Sequence, residues 1–82
     1  MSESNDEAFA ESTLREAIEN QIRDGKPLAA KFTLERLLAA GHERSDAIAM
    51  MAEVLAQEVR AILDEDRPFD LDWYVAALRA LE

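Results

Sequence analysis

Eighty-two residues without a cysteine make one domain, 1–82, near the lower size limit for unaided folding, and they exclude any disulfide or thiolate–metal staple. Eighteen acids against nine bases give a net charge of -9, which repels phosphate backbones and anionic lipid, so nucleic acid and membrane are poor partners. Two glycines, two prolines and few β-branched runs exclude most sheet architectures and predict an all-α chain held by helix packing.

Residues 1–6 read as a frayed polar tail. The opening MSESNDEAF has neither a basic n-region nor an apolar h-region, and the expected location is cytoplasmic. Ser4 to Glu7 reads as a capping box, so the first helix is expected from about Ser4 to Arg23, with Ser12 as the later alternative start. Leu14, Ile18 and Ile22 recur at a spacing of four, with Ala17 and Gln21 on the same face. Glu11 and Arg15 project onto that side as well and are four residues apart, a pairing distance along a helix. Asp24-Gly25 supplies the stop.

Lys26-Pro27 opens the second helix, with proline in its first turn, and the helix is expected to reach Ala40. It carries two apolar faces: Ala30, Leu34, Leu37 and Leu38 on one, Leu28 and Phe32 on the other. Two faces predict two neighbours. Gly41 and the short connection His42-Glu43-Arg44 then predict an antiparallel third helix.

That third helix, Asp46 to Leu63 with Ser45 as N-cap, is expected to be central. Its stripe is Ile48, Met51, Ala52, Leu55, Val59 and Ile62, widened by Ala47, Met50, Val54 and Ala61. Asp46, Glu53, Gln57, Arg60 and Asp64 fall on the solvated side. Glu58 is the exception, an acid projecting beside Met51, Leu55 and Ile62, and it needs a partner. Arg15 is the expected one. Pro68 breaks the helix, Asp70 caps a short fourth helix from Leu71 to Leu81, and Phe69 with Tyr74 forms a hydrophobic staple. Leu71, Tyr74, Leu78 and Leu81 form its buried face, and Trp73 points away from them. The fold expectation is a small antiparallel four-helix bundle with a short last helix.

Catalytic and metal patterns find little support. Asp64, Asp66, Asp70 and Asp72 alternate, but a calcium loop opened at Asp64 meets Phe69 and Val75 where glycine and glutamate are required. His42 stands alone, which removes HExxH zinc chemistry, and no glycine-rich loop could cradle a phosphate. Neither a metal nor another cofactor is expected. An acyl-carrier-like role would use Ser45 for attachment, but the context Arg44-Ser45-Asp46 lacks the acid before and the apolar residue after the serine. The expectation is a non-enzymatic protein–protein interaction module, able to self-associate. Phe9, Phe32, Met50 and Trp73 are its candidate contact residues, and Glu11, Arg15 and Glu58 its candidate polar cluster.

The stretches AIENQIRDGKP, TLERLLAAGHERSDAI, VLAQEV and RPFDLDWYVAAL resemble, over Leu14 to Leu81, a bacterial family of uncharacterised helical domains. Members of that family are sometimes joined to a SEC-C metal-binding motif. The resemblance implies no activity. Similar sequences carry histidines where this chain has Ser45 and Ala49, and some where it has Glu11 and Arg15. The implied alternative is a metal-binding domain that has lost its ligands, with the Glu11, Arg15 and Glu58 cluster in their place.

Overall fold

The computed structural model describes residues 10–82, all of whose regular structure is helical. The Ser4 capping box, the polar tail and Phe9 lie outside the described residues. Helix α1 spans Glu11–Asp24, α2 Leu28–Ala39, α3 Arg44–Glu65 and α4 Leu71–Arg79. Ala10 is extended, with φ -60° and ψ 138°, so a helix running unbroken from Ser4 to Arg23 is ruled out. None of the described helices is long and apolar enough to cross a membrane.

Gly25 ends α1 as expected. Its φ of 66° lies in the left-handed region, and its N–H donates to the Gln21 carbonyl. A Cβ there would sit 3.3 Å from Leu28 Cδ2. Gly25→Ala is therefore expected to cost about 1–2 kcal/mol, from left-handed strain plus a tightened contact, measured as a urea midpoint shift at unchanged m-value. Pro27 sits one place earlier than expected. It occupies the N-cap position with extended backbone, and the helix proper begins at Leu28.

The core follows the periodicity. Leu14 and Ile18 from α1, Ala30, Leu34 and Leu37 from α2, and Tyr74 and Leu78 from α4 close around seven buried apolar residues of α3. Helix α3 touches all three other helices, but so does α2, so the two share the centre. The solvated face of α3 is as read: Asp46, Glu53, Gln57, Arg60 and Asp64 are exposed.

Several faces depart from the reading. Leu38 is 40% exposed, while Thr33, which carried no signal, is buried in its stead. Leu28 and Phe32 are each 58% exposed, so no described residue covers the second face of α2. Apolar periodicity marks a face; it does not say what lies against it. Ser45 is not the N-cap of α3. The helix begins at Arg44, with Glu43 in the cap position, and Ala47 N–H donates to the Glu43 carbonyl at 2.9 Å.

Helix α4 has only nine residues, too few for stability on its own, and it is pinned at both ends. At its C-terminus, Arg36 of α2 donates from Nη1 to the Leu81 carbonyl, and from Nη2 to the Leu78 carbonyl at 3.1 Å. A guanidinium there also complements the negative end of the helix dipole. At its N-terminus the pin is the Glu58 carboxylate, which accepts from Asp70 N–H.

Candidate functional site at the start of the last helix

Glu58 is the one charged residue fully buried among the described residues, at 1% exposure. Its place on α3 makes this unavoidable. The residues four and three before it, Val54 and Leu55, are buried on the same side, so the carboxylate turns inward with them. An ionised carboxylate in a core is tolerated only when its lone pairs are filled.

The chain fills them by folding back. Helix α3 stops after Glu65 because Asp66 adopts the left-handed conformation, with φ 52° and ψ 53°. Pro68 also disfavours helical geometry in the residue before it. This reversal returns Arg67 to the helix it has just left. Its Nη1 and Nη2 donate to Glu58 Oε2 and Oε1 at 2.9 and 3.0 Å, a two-pronged guanidinium–carboxylate pair. Asp70 N–H adds a third bond to Oε2 at 2.6 Å. Arg67 also reaches Glu65 through Nε at 2.9 Å and the Pro68 carbonyl at 2.9 Å.

One carboxylate thus fixes the whole connection from 66 to 70. The bonds from Arg67, together with that from the Asp70 amide, hold the Glu58 carboxyl below the usual range against the opposing effect of burial. The Arg67 guanidinium is raised by the Glu58 and Glu65 carboxylates beside it.

From that anchored point α4 is launched. Asp70 Oδ1 accepts from Trp73 N–H at 3.0 Å, which is the expected cap. The Phe69 and Tyr74 rings meet edge to face with centroids 5.3 Å apart, which is the expected staple. Tyr74 is completely buried and donates its hydroxyl to Gln21 Oε1 on α1 at 2.8 Å. Burial pushes its phenol up to about 12.

The expected Glu11, Arg15 and Glu58 cluster is split. Arg15 is not the partner of Glu58: its Nε pairs with Glu11 at 3.1 Å, and its Nη1 donates to the Ser45 carbonyl at 3.3 Å. Glu11 is 70% exposed and Arg15 about a third exposed, so solvent screens this pair and it contributes little. The partner that was missed, Arg67, lies nine residues beyond Glu58 and across a turn, outside any helical spacing. Its one sequence signal is its place beside Pro68, as the one base in an acidic run.

The expected contact residues also divide. Met50 is half-buried and packs against the core, so it is not a free surface residue. Phe32 is exposed on α2. Trp73 is 40% exposed on the flank of α4 that borders Gln57, Ala61, Glu65 and Arg67. Ser45 is exposed in the first turn of α3.

Among the described residues, no group of three or more histidines, cysteines, aspartates or glutamates is arranged to hold a metal. No buried side-chain nitrogen or oxygen among them lacks a hydrogen-bond partner. Comparison with models of known protein families, with curated proteins and with solved structures finds no match to the chain.

Proposed function

We propose that the domain is a non-enzymatic protein–protein interaction module. The observation that carries this reading is the set of large apolar side chains left open on an otherwise acidic surface. Leu28, Phe32, Leu63, Phe69, Leu71 and Trp73 are each at least 40% exposed in a chain of net charge -9. Scattered exposed apolar residues are ordinary, but those that gather around the start of α4 fit the centre-and-rim pattern of protein contacts. The buried Glu58 pair fits the same reading as a rigid mount for that surface. The short connections 25–27 and 40–43 support an antiparallel arrangement of the helices as part of the proposal. Ser45 as a carrier attachment site is the second reading, supported by its exposure at a helix start.

Trp73→Ala tests the module. The backbone bond from residue 73 to Asp70 survives the substitution, so the expected stability loss is below about 1 kcal/mol. Partner capture by a photo-crosslinking residue at position 32 should fall if the two flanks serve one partner. A large cooperative loss of stability with unchanged capture would make Trp73 merely structural. Light scattering on the full chain reads self-association, and treatment with a phosphopantetheine transferase followed by mass measurement of Ser45 reads the carrier alternative.

A further inference from the structure

Helix α2 presents a second seam on the side away from the core. Ala30, Thr33, Leu34 and Leu37 are buried, and Leu28, Phe32, Glu35 and Ala39 run down the opposite side, all exposed. Steps of four, three and four residues make a seam of the kind by which one helix lies along another. Lys31 and Leu38 border one edge of it, and both are exposed. Arg36 borders the other edge, but its guanidinium is spent on the α4 carbonyls.

Charge separates this helix from the others. Within Leu28–Ala39, Lys31 and Arg36 stand against Glu35 alone, so α2 is the one described helix whose bases outnumber its acids. Acids outnumber bases in α1 and α3, and α4 holds only Asp72 and Arg79. The net charge of -9 therefore opposes contact between two copies through α1 or α3 more than through α2. Lys31 and Glu35 are four residues apart, yet neither takes part in an ion pair among the described residues.

The seam is complementary to itself. A two-fold axis through the middle of α2, between Thr33 and Leu34, sets a second copy of the helix antiparallel to the first. Leu28 then lies opposite Ala39 of the second copy, and Phe32 opposite Glu35 of the second copy. Lys31, one residue before Phe32, comes to the level of that same carboxylate. The acid that interrupts the seam thus meets an ammonium, and the symmetry makes the contact twice. A parallel pair would instead set Glu35 against Glu35. A helix from another protein would need a base at this one level, and a second α2 already carries it. Resting on the interaction reading above, we propose that α2 pairs two copies of this chain antiparallel through Leu28, Phe32 and Ala39, with Lys31 of each copy on Glu35 of the other. The 12-residue helix is about 18 Å long, so the contact is at the small end of protein interfaces and the dimer is weak.

The test is sedimentation equilibrium on the full chain over a concentration series, where the wild type is expected to show a monomer–dimer equilibrium. Lys31→Glu and Glu35→Lys should each weaken the dimer by about tenfold or more, because each sets like charges together at both contacts. Mixing the two variants should restore it, since every contact between them then joins opposite charges. A pair confined to one helix could not be rescued in this way. Glu53→Lys, on the solvated side of α3, changes the net charge as Glu35→Lys does and should not weaken the dimer. Circular dichroism confirms that each variant is folded, and Phe32→Ser, which alters no charge, repeats the test if one is not. A chain that is monomeric at every concentration would overturn the pairing. A dimer that neither charge variant weakens, or that the mixture does not restore, would overturn it too. The interaction reading is tested apart from this, because capture lost in Trp73→Ala upholds it at α4 whether or not α2 pairs.

Discussion

Glu58→Ala is expected to destabilise the domain by about 2–3 kcal/mol, a large fraction of the total for a chain of this size. The substitution strands the Asp70 N–H inside the protein and frees the connection that launches α4. The loss stays below that of a fully buried ion pair, because the Arg67 side chain is 28% exposed and can rehydrate. Thermal melting should show a fall of roughly 10–20 °C, given about 4–8 °C per kcal/mol for a small domain. Trp73 is the single tryptophan and lies beside the Glu58–Arg67 pair, so its fluorescence reports the event directly. A double-mutant cycle should find coupling between Glu58 and Arg67, and none between Glu58 and Arg15. The opposite pattern would mean that the fold-back at Asp66 does not form.

The same carboxylate carries a pH signature. Its pKa is lower in the folded protein than in the unfolded chain, so its contribution is complete above the ordinary glutamate range and is lost as pH falls through the lowered value. Glu19, held down by Arg44, acts in the same direction. Both its side chain and that of Arg44 are about half exposed, so solvent screens most of the effect. Glu58→Gln keeps the shape and removes the charge. Its stability deficit relative to wild type should be greatest near neutrality and should shrink as acid protonates Glu58. A deficit that does not change with pH would mean that the amide's shape, and not the lost charge, is at fault.

Why was Glu58 legible in the sequence when Arg67 was not? The inward turn of Glu58 follows from α3 alone, because 100° per residue places it among Leu55 and Ile62. The Asp70 cap and the Phe69–Tyr74 staple are equally local, spanning three and five residues, and both form as their spacing predicts. The Arg67 contact depends on a left-handed aspartate reversing the chain. Asp66 adopts that geometry as a non-glycine residue, so it leaves no compositional mark. Ser45 shows the complementary error. Serine is a good capping residue, but the helix begins one residue earlier, at Arg44, whose guanidinium grips Glu19 at 2.6 and 2.8 Å. A tertiary ion pair is in place where the local signal expected a helix end. The open faces of Leu28 and Phe32 were legible as apolar and illegible as uncovered, since burial belongs to the assembled helices.

Tyr74→Ala should be the more damaging substitution, at about 3–5 kcal/mol, because it removes a completely buried ring on which α4 depends for its hold on the core. With nine residues, that helix has few other contacts from which to recover the loss. Loss of the ring should unfold α4 first, visible as early hydrogen exchange from 71 to 79 while α1 to α3 stay protected. Tyr74→Phe separates ring from hydroxyl. It should cost about 1 kcal/mol, since Gln21 is only half-buried and water can replace the lost bond. The hydroxyl also makes an alkaline prediction. The phenol titrates near 10 when unfolded and is pushed up to about 12 by burial, so the unfolded chain ionises first and stability falls as pH rises between those values. Tyr74 is the single tyrosine, so tyrosinate absorbance reads this group without overlap from another. Ionisation should begin well above pH 10 and coincide with the loss of helical signal, and Tyr74→Phe should resist alkali better than wild type over that window. A tyrosinate transition at pH 10 in a still-folded protein would mean that the ring is open to solvent and that its bond to Gln21 does not form.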